Sequence, residues 1–473
     1  MTRANASIKL ALVVALTLVM TALILAHTKH VNGPWYWTWS WRRLTGWVYP
    51  AMALAAMPFA VAQFLWLRSR PRAAIACLCL ATLLLILTAM ALQPPIGLRR
   101  IPLIVQNAAV TGYYTDASIL NEQSNISTME WLYQYSQLVP FFHHHARYKP
   151  PGLLLYYLAM IRIFGKGEMS ALAGGLGIAL IASAAPAATY SMLRRFIGNG
   201  DDRAARCEPA FAGASYLALC PSLLLFLPMF DIAYVTIAAT LLFLYGNAVL
   251  RPTWRSALLF GLAMTLATFL SYIFLIFGFF FIVYWLIYLT DRGGASAYRA
   301  LRALILAAGV CIGLYALLWL FTAFNPVLTF QVIEQLQTDA LIPLARPFPQ
   351  YLYYDLLDFI LGSGYVSVLL VAYWFIHRGG QALSSREPGD RLVQIALLQI
   401  LVVAGAGLLP GEAARLWMLL LPFLMAPIGL ELAQWPTRLR MSVYLCLWLI
   451  AVVICQNMTF VYMGADLDGP RGL

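Results

Sequence analysis

The sequence predicts an all-α protein that crosses a membrane many times. Only 11% of its 473 residues are charged, and its mean hydropathy is +0.77. Soluble domains carry about a quarter charged residues, so this composition is far from theirs. Apolar runs of about 18 residues or more recur along the whole chain, and each is long enough to cross a bilayer. Because a backbone in lipid must satisfy its own hydrogen bonds, these runs are predicted to be helices.

About thirteen spans are predicted from these runs. They cover approximately residues 8–26, 48–67, 73–93, 169–192, 210–229, 232–250, 256–272, 273–290, 301–323, 356–376, 391–409, 415–433 and 440–460. The first run lacks a small-x-small cleavage site and is followed by further spans, so we expect it to be retained and not removed as a signal peptide.

The basic loops predict the orientation of the chain, because short loops rich in Lys and Arg stay in the cytoplasm. The loop RSRPR (68–72) and the segment RRFIGNGDDRAAR (194–206) are both strongly basic. If both are inside, the span 73–93 leads from RSRPR to an outer loop, residues 94–168. A single span, 169–192, then returns from that loop to 194–206. The apolar run 152–164 is too short to span and is therefore predicted to be a helix in the outer interface. The N-terminus is predicted inside and the C-terminus outside, in a plasma or inner membrane.

The net charge of +12, from 31 basic and 19 acidic residues, is explained by these loops, and no nucleic acid partner is predicted. The seven cysteines lie mostly inside apolar runs and form no CxxC pair. We assign them no redox or metal role.

One acid stands out near the start of the large loop 94–168. Asp116 lies in GYYTDA, close behind a span and flanked by aromatic residues. A carboxylate that is partly shielded from water has a raised pKa and can serve as a general base. The alternative interpretations are a solvated loop residue and a helix N-cap.

The stretch FFHHHARYKPPG (141–152) gathers His145, Arg147 and Lys149 beside two prolines. Three adjacent histidines cannot all face one metal from a regular helix, since successive side chains point apart, and no metal site is predicted. The stretch is either an interfacial polar cluster or a site for an anion such as phosphate. The prolines cannot sit deep in a helix, but they can open one, and they are predicted to start the interfacial helix.

Three further charged residues lie at predicted outer ends of spans. Asp231 follows LLLFLPMF, where a lone acid is costly and suggests a function, although a turn residue is the alternative. The segment GEAAR (411–415) places Glu412 and Arg415 three residues apart. They can pair with each other on one helix face, or they can bind a ligand phosphate.

The order of these segments resembles the GT-C superfamily of polytopic membrane glycosyltransferases. An acid in the first large outer loop is followed by a basic, His-Pro-Pro-like segment and the short helix LLLYYLAMIRIFG; later spans end in RRF and in LCPSLLLFLPMFD. The pattern is similar to protein O-mannosyltransferases, to the lipid A aminoarabinose transferase and to bacterial membrane mannosyl- and arabinosyltransferases. The likeness covers about residues 73–250 and, further on, only GEAARLW. Many members carry two acids close together in this loop, whereas YYTDAS has only Asp116. In many members the loop follows the first span, whereas here two additional N-terminal spans come before.

The resemblance implies an inverting transfer, at the outer face, of a sugar from a polyprenyl-phosphate donor to a glycan, lipid or protein acceptor. It implies two N-terminal spans (1–72) before a catalytic membrane domain (73–473), whose catalytic loop is 94–168 and carries juxtamembrane helices. Asp116 would be the base. The expected substrate-binding residues are Tyr113, Tyr114, His145, Arg147, Lys149, Asp231, Arg346, Glu412 and Arg415. A divalent cation is left open as a cofactor.

Two rival classes share some of these features. A transporter or flippase of a lipid-linked sugar would also use outer cations and a groove for lipid. It would more often show internal repeats and charges near the bilayer midplane, and the sequence has no convincing repeat and few deep charges. A non-catalytic subunit of a cell-envelope complex would not need Asp116.

Overall fold

The computed structural model describes residues 3–26, 39–41, 44, 46–93, 97–122, 127–143, 145–197, 203–341, 349–407, 409 and 412–460. The regular structure in these residues is helical apart from one short two-stranded ribbon. Strand β1 (Trp39–Trp41) pairs antiparallel with β2 (Met458–Phe460), with Ser40 opposite Thr459. The all-α class is therefore confirmed.

Twenty-four α-helices are described, and several of them begin at a proline. The first eight are α1 (Arg3–Leu25), α2 (Val48–Ala55), α3 (Met57–Leu67), α4 (Pro71–Ala91), α5 (Arg100–Gln106), α6 (Tyr113–Glu122), α7 (Thr128–Tyr133) and α8 (Tyr135–Leu138). The next eight are α9 (Gly152–Phe164), α10 (Glu168–Ser183), α11 (Ala185–Phe196), α12 (Arg203–Leu217), α13 (Pro221–Leu225), α14 (Asp231–Leu250), α15 (Trp254–Leu270) and α16 (Phe277–Arg292). The last eight are α17 (Gly294–Thr322), α18 (Pro326–Leu341), α19 (Gln350–Ser363), α20 (Val366–Ser384), α21 (Pro388–Gly405), α22 (Ala413–Leu416), α23 (Leu421–Leu432) and α24 (Thr437–Asn457).

Short 3₁₀ turns connect some of these helices. They cover Val139–Phe141, Ala146–Tyr148, Tyr272–Ile276 and Trp417–Leu420. The predicted short helix 152–164 is α9, with the predicted bounds. Pro151 stands at its N-cap and Gly165 at its C-cap, so the Pro-Pro pair does open this helix as expected.

The described helices make this a multi-pass membrane protein. Ten helical segments are long and apolar enough to cross a membrane, or eleven if the bent pair α19–α20 forms one span. That pair bends by 97°. The number is lower than the thirteen predicted because hydropathy counts apolar residues and does not report where a helix is interrupted.

Two predicted spans account for the difference between thirteen and eleven. The run 210–229 is interrupted, since α12 ends at Leu217 and α13 starts at Pro221, a residue that cannot continue a preceding helix. The run 256–272 corresponds to α15, which has 17 residues. A helix of that length reaches about 25 Å, a little less than the ~30 Å hydrocarbon core of a bilayer.

The described chain divides into two compact units. The first combines Met1–Gly97, Ile178–Phe243 and Phe348–Leu473, and the second combines Leu98–Gly177 and Leu244–Pro347. The sequence analysis placed a boundary after residue 72, between two N-terminal spans and the expected catalytic domain. That boundary divides the chain by function, and it stays a prediction.

In the first unit, α23 is buried along its whole length and packs against α12, α20 and α21. Lys9 of α1 forms an ion pair with Glu431 of α23, and the indole N–H of Trp435 donates to the same carboxylate at 2.9 Å. The hydroxyl of Tyr373 donates to the Lys9 carbonyl oxygen at 3.3 Å. Both charges are thus neutralised and hydrogen-bonded, as buried charges must be.

In the second unit, α15 packs along α17, and an aromatic cluster joins α14, α15 and α16. The ring of Tyr245 lies 4.6 Å from that of Phe281, and its hydroxyl donates to the Phe281 carbonyl oxygen at 2.6 Å. Helices α5 to α9 and the first part of α10 belong to the same unit, and they carry Asp116 and the 141–152 stretch.

Candidate functional site

Helix α6 holds Asp116 in its first turn. The helix starts directly after Gly112, and the Asp116 N–H donates to the Gly112 carbonyl oxygen at 2.9 Å. Gly112 has φ +72°, and a Cβ at this residue would lie 2.7 Å from the Cβ of His143. A glycine is therefore required for the 141–152 stretch to pass this close to the start of α6.

The carboxylate of Asp116 is bound by His143 on both oxygens. Oδ2 accepts a hydrogen bond from the His143 backbone N–H at 3.0 Å, and Oδ1 lies 2.6 Å from the ring Nδ1. Only 5% of the Asp116 side chain is exposed, against 39% of the His143 side chain. Asp116 is therefore neither a solvated loop residue nor a cap of α6, because it is buried and binds another segment.

Burial raises the pKa of the Asp116 carboxyl, and the hydrogen bonds and charge of His143 oppose that rise without cancelling it. Desolvation disfavours the ionised form of a carboxyl group, which explains the direction. A carboxylate with a raised pKa beside an imidazole is an arrangement suited to moving protons.

His143 is a residue that the sequence argument missed, since it singled out His145 from the three histidines. The partner of Asp116 lies 27 residues away in the chain. No local spacing identifies it, because the contact depends on the path of the chain between α6 and α9. The run of three histidines was the only signal for it in the sequence.

Arg147 lies on the turn Ala146–Tyr148, and Lys149 is the residue directly after that turn. The Arg147 N–H donates to the His143 carbonyl oxygen at 3.2 Å, and the guanidinium lies 5.0 Å from the centre of the Tyr148 ring. Its Nε is buried and has no hydrogen-bond partner within the described residues. A buried donor without a partner costs free energy, so this atom is suited to an anionic ligand. His145 stands at the start of the same turn and is half-buried.

Lys149 is held by two contacts that fix its position. Its carbonyl oxygen accepts from the Tyr135 hydroxyl at 2.7 Å, and its Nζ donates to the Ser271 hydroxyl at 3.2 Å. A Cβ at Gly152 would lie 2.5 Å from the Phe269 carbonyl oxygen, so α9 starts in direct contact with the end of α15. The basic turn is therefore anchored on both sides.

Tyr113 and Tyr114 are both buried at the start of α6. The hydroxyl of Tyr114 donates to the Gly167 carbonyl oxygen at 3.0 Å, accepts from the Gly167 N–H at 2.8 Å and lies 2.9 Å from the Ser170 hydroxyl. These contacts tie α6 to the start of α10. Stacking of either ring on a sugar stays a prediction.

A separate charged cluster lies in the first unit. Arg415 of α22 forms an ion pair with Glu412, and its Nη1 lies 3.8 Å from Oδ2 of Asp231, the first residue of α14. The alternative that Glu412 and Arg415 pair with each other is therefore confirmed. All three side chains are largely buried. The positive charge of the guanidinium is balanced by two nearby carboxylates.

The backbone of this cluster is strained at Glu412, which has φ +51°. Such a conformation costs a non-glycine residue about 1–2 kcal/mol. Neighbouring contacts hold it: the Ala414 N–H donates to Asp358 Oδ2 at 2.7 Å, and the Ser222 hydroxyl donates to the Ala414 carbonyl oxygen at 2.6 Å. Asp358 was not among the predicted site residues and is buried.

Arg346, a further predicted phosphate ligand, lies outside the described residues. In the part of the chain that the structure describes, no group of three or more His, Cys, Asp or Glu side chains is arranged to hold a metal ion. The predicted site residues that the structure does describe therefore fall into two groups, one in each unit.

Together, the long apolar helices and the buried charges define a multi-pass α-helical membrane protein with a carboxylate–imidazole pair in its second unit. No protein-family model matches the sequence, and no curated protein matches it.

Proposed function

We propose that the protein is a membrane glycosyltransferase that moves a sugar from a polyprenyl-phosphate donor to an acceptor, with inversion at the anomeric carbon. The supporting observation is the buried Asp116 carboxylate held by His143, in the same unit as the basic turn of Arg147 and Lys149. The resemblance to the GT-C superfamily supplies the donor class and a glycan, lipid or protein acceptor.

This reaction requires three things of the protein. A base takes the proton of the acceptor hydroxyl, cations stabilise the departing lipid phosphate, and the donor is held in line for attack. The Asp116–His143 pair supplies the first, and Arg147 with Lys149 the second. The acceptor oxygen bonds to the anomeric carbon while the bond from that carbon to the phosphate oxygen breaks, and its electron pair leaves with the phosphate.

We assign the second cluster a secondary role in this proposal. Arg415 is paired with Glu412 and lies near Asp231, so two buried carboxylates already balance its charge. A phosphate at Arg415 would lie beside those two negative charges, whereas within the described residues no carboxylate forms an ion pair with Arg147.

The basic loops support an outer, extracytoplasmic location for Asp116, with a cytoplasmic N-terminus and the C-terminus outside. Two candidate spans, Pro71–Ala91 and Glu168–Phe196, flank its segment, and the basic stretches 68–72 and 194–206 lie at their far ends. The helices described between these spans have 13 residues or fewer, too few to cross the bilayer. The charge rule then places 98–164 on the outer face.

Single cysteines test this orientation in a background without the seven native cysteines. A membrane-impermeant thiol reagent applied to intact cells should label Glu130→Cys and should leave Arg194→Cys unlabelled, and both positions are exposed. Equal labelling of the two would contradict the orientation. Arg251→Cys should also stay unlabelled, because the predicted topology requires the interrupted pair α12–α13 to cross the membrane. If Arg251→Cys is labelled while Arg194→Cys is not, the pair α12–α13 does not cross the membrane.

Replacing the basic residues of the turn should weaken use of the donor. Arg147→Ala and Lys149→Ala each remove a charge-assisted contact worth about 1.5–3 kcal/mol, so we expect about a tenfold or larger loss in kcat/KM for at least one. Arg162→Ala is the matched control, since Arg162 is exposed on α9 and donates to Thr128. Wild-type donor kinetics in both turn variants would remove the turn from the site.

The fate of a labelled donor in vesicles separates a transferase from a transporter. A glycosyltransferase cleaves the donor and releases polyprenyl phosphate, whereas a flippase moves the donor intact. Release of labelled sugar into an acceptor, with an equal amount of polyprenyl phosphate, supports the proposal. Movement of an uncleaved donor across the vesicle membrane supports the alternative.

A further inference from the structure

We infer that Nε2 of His143 is the atom that takes the acceptor proton, and that Asp116 is a positioning residue that orients the imidazole. This inference rests on the proposed function and assigns a residue to its proton-transfer step. The resemblance points to the loop acid as the base, so the inference departs from that expectation.

The contacts of Asp116 are the first argument. Both carboxylate oxygens face His143, one at the backbone N–H and one at the ring Nδ1. The backbone contact fixes the residue, and the ring contact fixes the imidazole. When Asp116 is ionised it accepts from Nδ1–H, so the other ring nitrogen carries the lone pair of the neutral imidazole.

The accessibility of the two groups is the second argument. The Asp116 side chain is 5% exposed and the His143 side chain 39%. Within the described part of the chain, Nε2 of His143 has no hydrogen-bond partner. A general base must lie about 2.6–3.2 Å from the proton that it takes, and a bulky acceptor reaches an exposed imidazole more easily than a buried carboxylate.

The backbone around the pair is the third argument. Gly112 has φ +72° and leaves no room for a side chain against His143, so the contact between α6 and the 141–152 stretch is built into the backbone. The turn that carries Arg147 begins three residues after His143, and the Arg147 N–H donates to the His143 carbonyl oxygen. Proton acceptor and phosphate cations are thus carried by one short segment.

Proton transfer to His143 accompanies bond formation at the anomeric carbon. The acceptor O–H bond breaks and its proton moves to Nε2, while the oxygen's electron pair forms the bond to the anomeric carbon. The bond between that carbon and the phosphate oxygen breaks, and its electrons stay with the polyprenyl phosphate. The Asp116 carboxylate stabilises the imidazolium that results, and water afterwards takes the proton.

The test uses the full-length protein in lipid vesicles with undecaprenyl phosphate that carries a radiolabelled hexose, pentose or aminopentose. Membranes from cells that lack the protein supply acceptors. His143→Gln should lose at least about a hundredfold in kcat/KM, and the acid limb of its pH profile should disappear, because the imidazole base must be unprotonated to act. His377→Gln, which alters a histidine on α20, is the control.

His143→Ala adds a readout that a structural role would not give. Free imidazole added to this variant should restore part of the transfer, and it should restore none in Asp116→Asn, whose own imidazole is still present. Binding of undecaprenyl phosphate at wild-type strength shows that each variant is folded. Rescue of His143→Ala by imidazole supports the inference even where His143→Gln is too inactive for a pH profile.

The failures of the two proposals are distinguishable. If the wild type transfers sugar and His143→Gln keeps more than about a tenth of that activity with its acid limb intact, Asp116 is the base and the inference is wrong while the function stands. Absence of rescue in a folded His143→Ala would likewise overturn the inference. If the wild type leaves all three donors intact, the proposed function is wrong and the inference falls with it.

Discussion

Asp116→Asn should insert and fold like the wild type and lose at least about two orders of magnitude in sugar transfer. The amide keeps the shape of the carboxyl group but has one acceptor oxygen where two are used, at the His143 backbone N–H and at the ring Nδ1. It also carries no charge to stabilise an imidazolium. General acid–base catalysis contributes about 10²–10⁴-fold, which sets the expected loss.

The measurement is turnover per folded molecule, with expression normalised. Asp116→Glu should recover little, because an added methylene moves the carboxylate by about 1 Å and positioning is strict. Glu122→Gln is the matched control on the same helix, since within the described residues Glu122 forms an exposed ion pair with Lys166 and no other polar contact. Activity of Asp116→Asn above about a tenth of wild type would argue against an essential role for this carboxylate.

Much of the fold could be predicted because hydropathy and proline placement report directly on helices. The bounds of α9 follow from a short apolar run behind Pro150 and Pro151. The interruptions were not predicted, because hydropathy counts apolar residues across them. Pro221 stands at the break between α12 and α13, yet the run around it is apolar, and the 97° bend between α19 and α20 also falls inside an apolar run.

The site could be predicted only in part, for a related reason. Asp116 is the one acid in a short aromatic stretch, so its type and setting indicated a functional carboxylate. Its partner depends on a contact between two segments that local spacing does not encode. Asp355 and Asp358 show the same limit, because they stand in the aromatic stretch YLYYDLLDF, typical of a membrane interface, yet both are almost fully buried.

A second large effect is expected at a residue that carries no functional group. Gly112→Ala should separate Asp116 from His143 and lower transfer by about two orders of magnitude, close to the effect of Asp116→Asn. Alanine at φ +72° costs about 1–2 kcal/mol in backbone strain. The larger effect comes from its Cβ, which would lie 2.7 Å from the Cβ of His143, so the two segments must move apart.

Gly165→Ala is a closely matched control for this substitution. Gly165 has φ +78°, almost the same backbone strain, but a Cβ there meets no atom of the described residues within 4 Å. Both variants are therefore destabilised by similar backbone strain, and only Gly112→Ala also displaces His143. We expect Gly165→Ala to keep most of its transfer activity per folded molecule, while Gly112→Ala loses nearly all of it.

The double variant identifies the cause of the loss. If Gly112→Ala acts by breaking the Asp116–His143 contact, adding it to Asp116→Asn should lower transfer little further, since residues that act through one contact are not additive. Fully multiplied losses in the double variant would show that Gly112→Ala acts elsewhere. Equal activity of Gly112→Ala and Gly165→Ala would show that transfer does not need the close approach of His143 to α6.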